Sequence, residues 1–591
     1  MKTNHLFIIT VLLIFFKTSQ IKAQDLESIH KQKPIAITGN LGLGTSVYYS
    51  NSLNPGNSPF GYAVNGSVNV SLYGLYNIPI NVFMTNLSRG ASAHPIPLTN
   101  LGFQPTYKRF TFYGGWNTVN FSQFTLAGAP FVGGGVEYRG NWFRAGVVGG
   151  RFQKAYGDTV ALERAIGYKR MGLGAKLGFG SEKTFIDFTF FRARDDSNSL
   201  SFRPIALESR PKDNIAGGTN WRVGFFKNRM TFEGELAVSA LTRDLALKAV
   251  DLDAVVPQFS FVEKVINIRY STSLYYAGST GLAWQGKKGQ VKLQYRRVSK
   301  DYQSLGAIYI QNNLESYTAN AGWQMWKNRL RFNLTGGVQH DELPLIGSTV
   351  NIKDRLLMFA TAGAYAKNLK ADLPVFTYRR IGSGSLSFNP NQFYGLDISY
   401  SNFLTDQQIA NQRLLDTART AQATTTLSVV NRFTIAKPDL IHNIIGVYSY
   451  SVFDNNATQN PTIPLSIGNN TVGTVTYSAI FPKQRASANL NLNYTRSAFG
   501  SQPITYYGIM GGGSKSLLKN KMNLGGNIGY GINKTETGRS GNVNFSINAG
   551  FQPSSRQSFN ASIALLRNKA AQVLAPTLGE FRGNIGYNYT F

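Results

Sequence analysis

The segment FRGNIGYNYTF, residues 581–591, alternates between two kinds of side chain. Positions 581, 585, 587, 589 and 591 are apolar or aromatic, whereas positions 582, 584, 588 and 590 are polar. Successive side chains of a β-strand point to opposite faces, so this period of two predicts a strand with one apolar and one polar face. The segments 486–494 and 542–551 alternate in the same way.

The composition indicates what the two faces contact. The polar positions carry Asn, Ser, Gly and Arg, whereas the exposed face of a soluble sheet carries more Lys and Glu. Only 15% of the 591 residues are charged, against roughly 25% in an average soluble chain, and 13% are aromatic. Strands that face lipid on one side and water on the other have this composition.

Short turns alternate with longer polar connections along the chain. Three turns share the formula Lys-Asn-Arg or Lys-Asn-Lys, at 226–230, 326–330 and 518–522. The longer connections lie at 196–213, 244–265, 302–314, 405–418 and 455–470. Short periplasmic turns and longer extracellular loops are typical of the two rims of an outer-membrane barrel. The aromatic residues expected at the membrane interface are Tyr138, Trp142, Phe226, Trp326 and Phe591.

These patterns predict an all-β fold, a single transmembrane antiparallel β-barrel of 24 to 28 strands over residues 35–591. Such a barrel is roughly 50 Å across between backbones, too wide for side chains to fill. Its lumen must then be open, covered by loops or occupied by another polypeptide.

The first 34 residues predict export. Lys2 precedes an apolar run, Leu6–Phe16, that only Thr10 interrupts, and a small residue, Ala23, offers a cleavage point. Residues 1–23 are therefore interpreted as a signal peptide and 24–34 as a short periplasmic segment, too short for a plug domain. The alternative is a single N-terminal membrane anchor. The absence of cysteine excludes disulfides and thiolate metal sites.

The chain carries a formal charge of +30, from 60 Lys and Arg against 30 Asp and Glu. Such a surplus indicates an anionic partner, and predicted export favours lipid or acidic cargo over nucleic acid. Four cations occupy the alternating polar positions of their strands, which we call the polar parity: Arg222, Lys292, Arg296 and Arg331. A lumen lined by them would favour anions. Alternatively, the cations lie at turns and rims and contact lipid headgroups.

Catalysis is not expected. His340-Asp341-Glu342 places a histidine beside two carboxylates, but neighbouring residues cannot all converge on one reacting atom, which favours a solvated loop tip. Asp195-Asp196 could bind a cation, but Arg192 and Arg194 crowd it. We therefore predict no catalytic residue, no cofactor and no metal.

The final strand and the turns carry a resemblance. The terminal 587–591 looks like the C-terminal signal that the barrel-assembly machinery handles, and the Gly-, Asn- and Tyr-rich strands with Lys-Asn-Arg turns resemble large Bacteroidota-type outer-membrane barrels. The segment 382–395 is faintly similar to type 9 secretion translocon barrels. The resemblance implies the outer membrane of a Gram-negative bacterium, with membrane lipid, lipopolysaccharide and the barrel-assembly machinery as partners.

Two functions follow from this interpretation. The first is a gated conduit for a large or anionic solute, polymer or secreted protein, with loops or a protein partner sealing the lumen. The alternative is a non-conducting scaffold that anchors surface proteins or a secretion or motility complex.

Overall fold

The computed structural model describes residues 34–52, 58–72, 76–85, 102–157, 166–201, 209–249, 267–341, 375–409, 419–458, 468–499, 502–569 and 577–591. The predicted signal peptide and most of the segment 24–34 lie outside these ranges. The described residues form one sheet in which consecutive wall strands pair antiparallel, and β1 pairs with β28, so the sheet closes on itself.

The strands are listed here in chain order: β1 Ile35–Ser50, β2 Phe60–Leu72, β3 Tyr76–Thr85, β4 Gly102–Phe103, β5 Thr106–Tyr107, β6 Phe110–Ser122, β7 Leu126–Arg139, β8 Phe143–Gln153, β9 Arg170–Gly180, β10 Phe185–Asp195, β11 Asp213–Phe225, β12 Met230–Thr242, β13 Thr272–Gln285, β14 Gly289–Val298, β15 Gly306–Ala307, β16 Leu314–Met325, β17 Leu330–His340, β18 Val375–Phe388, β19 Tyr394–Ile409, β20 Arg419–Ala436, β21 Ile441–Thr458, β22 Gly468–Phe481, β23 Ala486–Phe499, β24 Gln502–Leu517, β25 Met522–Thr535, β26 Gly538–Ser554, β27 Gln557–Lys569 and β28 Leu578–Thr590.

The wall contains 26 of these strand positions within the described ranges. β4 and β5 both lie between β3 and β6 and form one interrupted wall strand. β15 leaves the wall, because β14 pairs directly with β16 and β15 pairs in parallel with β7. The prediction of a single antiparallel barrel of 24 to 28 strands is confirmed.

Exposure alternates along the wall as the sequence predicts. On β12, Leu236 and Val238 are 55% and 47% exposed, whereas Ala237 and Ser239, which point to the opposite face, are buried under chain segments that fold into the barrel. The exposed apolar residues mark the outer face and the polar parity marks the inner face. One short 3₁₀ helix, Leu518–Asn520, follows β24. None of the helical structure in the described part of the chain is long and apolar enough to cross a membrane.

The two rims differ in the length of their connections. One, the short-turn rim, holds the turns 226–229, 326–329 and 518–521; the other, the long-loop rim, holds the connections after β10, β12 and β14. In the first of these turns Phe226, Lys227 and Asn228 all have left-handed φ, between 51° and 64°. Asn tolerates this conformation well, which explains its place in all three turns.

Two of the predicted long connections begin later than expected. β19 continues to Ile409 and β21 to Thr458, so residues 405–409 and 455–458 belong to the wall. Polar sequence does not end a strand here, because the backbone hydrogen bonds of a ladder need no apolar side chains.

Candidate functional site

The tip of the β6–β7 hairpin bends into the barrel. We call residues 119–129 the inner hairpin. Phe121, Phe124 and Leu126 are each at most 4% exposed, although a tip at the long-loop rim would ordinarily meet solvent. The pairing of β6 with β7 shifts register around Asn120, and such bulges bend a strand. The inner hairpin therefore packs against the inner face of the wall.

Glu235 on β12 holds the tip of the inner hairpin. Its carboxylate accepts hydrogen bonds from the Ser122 hydroxyl, from the Gln123 amide at 3.3 Å and from the Phe124 amide at 2.9 Å. A hydrogen bond to a charged acceptor contributes about 1.5–3 kcal/mol. One carboxylate thus satisfies three donors of a turn that lies more than a hundred positions earlier in the chain.

The connection between β14 and β16 covers the inner hairpin. We call residues 299–313 the inner loop. The Tyr302 hydroxyl donates to the carbonyl oxygen of Phe124 at 2.9 Å, and the Ser304 hydroxyl donates to that of Thr125 at 2.6 Å. β15, within this loop, pairs with the first residues of β7. Residues 302–307, the first part of the segment predicted as an extracellular loop at 302–314, therefore lie inside the barrel.

The inner loop is also attached to the wall. The Leu305 amide donates to Asn214 Oδ1 on β11 at 2.9 Å, and the Ser239 hydroxyl on β12 donates to the Gln303 carbonyl oxygen at 2.6 Å. Asn214 and Ser239 are themselves joined by a 2.7 Å hydrogen bond and are fully buried. Wall, inner hairpin and inner loop form a packed, hydrogen-bonded inner layer.

Two glycines of the wall make room for the inner hairpin. A Cβ on Gly146 of β8 would lie 2.9 Å from Cζ of Phe121, and one on Gly174 of β9 would collide with the side chain of Leu126. The burial of each such apolar side chain contributes about 1.5–3 kcal/mol. Small residues at these wall positions are therefore required for the inner layer to pack.

Charged side chains line the inner face below the inner hairpin in alternating sign. Lys176 Nζ lies 3.7 Å from carboxylate oxygens of both Glu137 and Asp187. Arg144 pairs with Asp187 at 2.7 Å, and Arg139 pairs with Glu137 at 3.0 Å. Neither carboxylate is among the predicted site residues, although the alternation of side chains along each strand places both on the polar face.

Two of the predicted lumen cations share one acid. Arg222 Nη2 lies 2.9 Å and Lys292 Nζ 2.8 Å from the carboxylate of Glu233. β11 pairs with β12 so that Arg222 stands opposite Glu233. The turn at 226–229 fixes this register, so the partner could have been found from the sequence. Glu233 offsets part of the positive charge on this stretch of the wall.

The other two predicted cations have different surroundings. The Arg296 guanidinium lies 5.3 Å from the ring centre of Phe124, beneath the inner hairpin. Arg331 lines a polar cavity near the short-turn rim together with Lys287 and Lys288. The structure therefore brings Arg222 and Lys292 together and leaves Arg296 and Arg331 at separate places on the same face.

The five predicted interface aromatics lie near the short-turn rim. Trp142, Phe226 and Trp326 are 55%, 73% and 63% exposed, and Tyr138 is half-buried on β7. Phe591 follows β28 and exchanges two backbone hydrogen bonds, of 2.9 and 3.0 Å, with β1. Their contact with membrane lipid stays a prediction.

His340 does not lie at a solvated tip, so that expectation is wrong. It is 7% exposed, and its Nε2 lies 3.5 Å from the Glu315 carboxylate. Glu315 also accepts hydrogen bonds from Tyr295 at 2.9 Å and Arg297 at 3.1 Å. β17 ends beside β16, and their register brings His340 opposite Glu315. Glu342 lies outside the described residues.

The Asp195 region contains ion pairs. Asp195 is buried and pairs with Arg170 at 2.7 Å, whereas Arg192 and Arg194 each approach Asp213 at 3.9 Å. The arginines that were expected to crowd Asp195 thus pair with a different carboxylate. In the part of the chain that the structure covers, no group of three or more His, Asp or Glu side chains could hold a metal ion.

Among known proteins, the chain is similar in architecture to solved outer-membrane structures. No family model matches the chain, and no curated protein matches it. Among solved structures, the translocation pore of the P pilus usher PapC is 11% identical, with 94% of this chain and 99% of that chain covered and a TM-score of 0.31. The siderophore receptor PirA from Pseudomonas aeruginosa is 9% identical, with 94% and 80% covered and a TM-score of 0.37. Acinetobacter baumannii OccAB4 is 12% identical, with 69% and 97% covered and a TM-score of 0.28. Likeness at this level carries no information about function.

Proposed function

We propose that the protein is an outer-membrane barrel that conducts a large or anionic solute, polymer or secreted protein, gated by its inner layer. The inner layer is the observation that carries the proposal. A wall of this size is about 50 Å across between backbones, and one packed layer extends about 10 Å inward from it. The inner hairpin and inner loop contact β8 to β14, so they narrow the lumen without filling it.

Membrane insertion is supported by the outer face. Its apolar residues are exposed on strands around the barrel, from Leu41 on β1 to Ile585 on β28. In the described part of the chain β1 pairs with β28 and closes the sheet, as a spanning sheet requires. We place the barrel in a Gram-negative outer membrane, with lipid, lipopolysaccharide and the barrel-assembly machinery as partners. The Lys-Asn-Arg turns support a Bacteroidota-type protein.

Orientation can be tested with single cysteines, because the native chain has none. We expect a maleimide that cannot cross the membrane to label Ser199→Cys, at the long-loop rim, in intact cells. It should not label Asn228→Cys, at the short-turn rim, until the cells are opened. The reverse pattern would contradict the orientation.

Conduction can be tested with the purified protein in a planar bilayer. The wild type should show discrete, gated current steps, and Glu235→Gln, which weakens the attachment of the inner hairpin, should raise the open fraction. Glu233→Gln is the matched control, because it changes an inner-face carboxylate that makes no hydrogen bond to the inner hairpin. A folded protein that stays silent in both the wild type and Glu235→Gln would overturn the conduit.

The second candidate is the non-conducting scaffold. It is favoured by the number of buried hydrogen bonds in the inner layer, which resembles a permanent core. The same bilayer recordings separate the two candidates. An enzyme is not proposed. Among the residues that the structure describes, those that contact Glu315 are Tyr295, Tyr317, Arg297 and His340, and none of them is a serine or threonine.

A further inference from the structure

A group of cations lies on the outer face of β23 to β27, near the long-loop rim. All are exposed and lie within four residues of a strand end. We call them the basic patch: Arg496, Lys534, Arg539, Arg567 and Lys569.

Strand register places the patch on the lipid-facing side. Thr505 of β24 pairs with both Arg496 and Lys534, so all three share a face. Two and four residues further along β24, on the same face, are the exposed side chains of Tyr507 and Ile509. Because side chains alternate along a strand, the cations belong to the apolar outer face and not to the lumen.

The described part of the protein neutralises the patch only in part. Lys534 and Arg539 stand directly opposite each other across the β25–β26 hairpin, an arrangement in which like charges repel. Among the residues that the structure describes, no carboxylate forms an ion pair with any of the five cations. Glu536, in the turn of the same hairpin, reduces the excess of positive charge to four. An external anion would therefore remove a repulsion as well as gain an attraction.

Elsewhere on the outer face, cations near the same rim do have an acid. Arg192 and Arg194 of β10 both approach Asp213 on β11 at 3.9 Å. Their parity is that of the exposed Phe188 and Phe190. This pair provides a matched control for the basic patch.

Below the patch, the same strands present an apolar surface. The exposed fractions are 60% for Ile528, 51% for Tyr530, 40% for Val543 and 45% for Leu565. A ligand that met both regions would carry phosphate or a similar anion at one end and hydrocarbon at the other. Free phosphate would use only the first region.

We propose that the basic patch binds the phosphate groups of a phosphorylated glycolipid in the leaflet beside the long-loop rim, with its acyl chains on the apolar surface below. Arg and Lys both bind phosphate by charge-assisted hydrogen bonds, Arg often in a bidentate manner. The inference rests on the membrane location proposed above and is independent of conduction.

The test measures lipid retention by the purified, folded full chain in detergent, by native mass spectrometry. The probes are bisphosphorylated lipid A, its dephosphorylated form and inorganic phosphate. One variant changes all five patch cations to Gln, and the control is Arg192→Gln with Arg194→Gln. Because surface cations contribute roughly tenfold or less each, affinity for lipid A should fall about 10- to 1,000-fold in the patch variant and stay unchanged in the control.

Three outcomes would overturn the proposal. The first is an equal loss of affinity for lipid A in the patch variant and the control. The second is equal retention of bisphosphorylated and dephosphorylated lipid A. The third is displacement of lipid A by equimolar inorganic phosphate. The heat-dependent gel mobility of a folded barrel verifies that each variant folds. Bilayer recordings in lipid that lacks lipid A measure conduction separately. Failure of the lipid-binding proposal can therefore be distinguished from failure of the conduit proposal.

Discussion

Replacing Glu235 with alanine should release the inner hairpin from the wall. The carboxylate is the shared acceptor for the hydroxyl of Ser122 and the amides of Gln123 and Phe124. Alanine removes all three acceptor contacts and leaves the pairing of β12 with its neighbours in place. The remaining attachments of the inner hairpin then act alone.

The size of the effect follows from the number of lost hydrogen bonds. Each is worth about 1 kcal/mol net, below the range for a buried charged acceptor, because Glu235 is only half-buried and the released donors regain water. Three of them amount to about 3 kcal/mol, and about 1.4 kcal/mol corresponds to a factor of ten. The detached fraction should therefore rise about 150-fold.

A buried reporter measures the detached fraction. Thr125 is completely buried in the inner layer, and the chain has no other thiol, so Thr125→Cys should react with a maleimide only when the hairpin detaches. We expect Glu235→Ala to accelerate labelling about 150-fold in this background. Glu233→Gln, two residues away on the same face, should leave the rate unchanged.

Two results would refute this reasoning. If the double variant Glu235→Ala with Thr125→Cys is labelled no faster than Thr125→Cys alone, the carboxylate does not hold the hairpin. If Glu233→Gln accelerates labelling equally, the effect comes from charge on the wall and not from the three hydrogen bonds. Gel mobility without heating must first show that both barrels are closed.

Three further predictions concern the inner face of the wall and the inner layer. Gly146→Val should displace the ring of Phe121 and accelerate labelling at the reporter, whereas Gly550→Val, on the inner face with nothing within 4 Å of its Cβ, should not. Glu233→Gln should raise the anion-to-cation permeability ratio about twofold in bilayer recordings, because it removes the acid that two cations share. Tyr302→Phe should accelerate labelling about fivefold through one lost hydrogen bond. Burial raises the pKa of Tyr302, so its stabilisation of the inner layer persists below pH about 10 and is lost as pH rises through the raised pKa. The Phe variant should lack that pH dependence.

The wall could be predicted because its signals are local. Alternation in 581–591 identifies β28 without reference to any other strand, and the Lys-Asn-Arg turns give hairpin register directly. Register in turn identifies pairs such as Arg222 with Glu233. The strand number fell within the predicted range because each short turn joins two strands.

The inner layer could not be predicted because its partners are remote. Phe121 and Phe124 lie in a segment whose sequence has the pattern of an ordinary hairpin. The bulge near Asn120 turns them inward. Their contacts come from Glu235 and the inner loop, much later in the chain. The burial of His340 differs in this respect, because Glu315 stands opposite it on the adjacent strand and the turn at 326–329 gives that register.

The remote partners of the inner hairpin also constrain the order of folding. The hydrogen bonds that join Phe124 of the turn to Glu235 and to Tyr302 span 111 and 178 residues of sequence. Contacts with such separations carry a large loop-closure cost and form late. The inner hairpin can therefore dock only once both β12 and the inner loop are in place. Narrowing of the lumen is therefore a late step of assembly, which follows the formation of the middle strands of the wall.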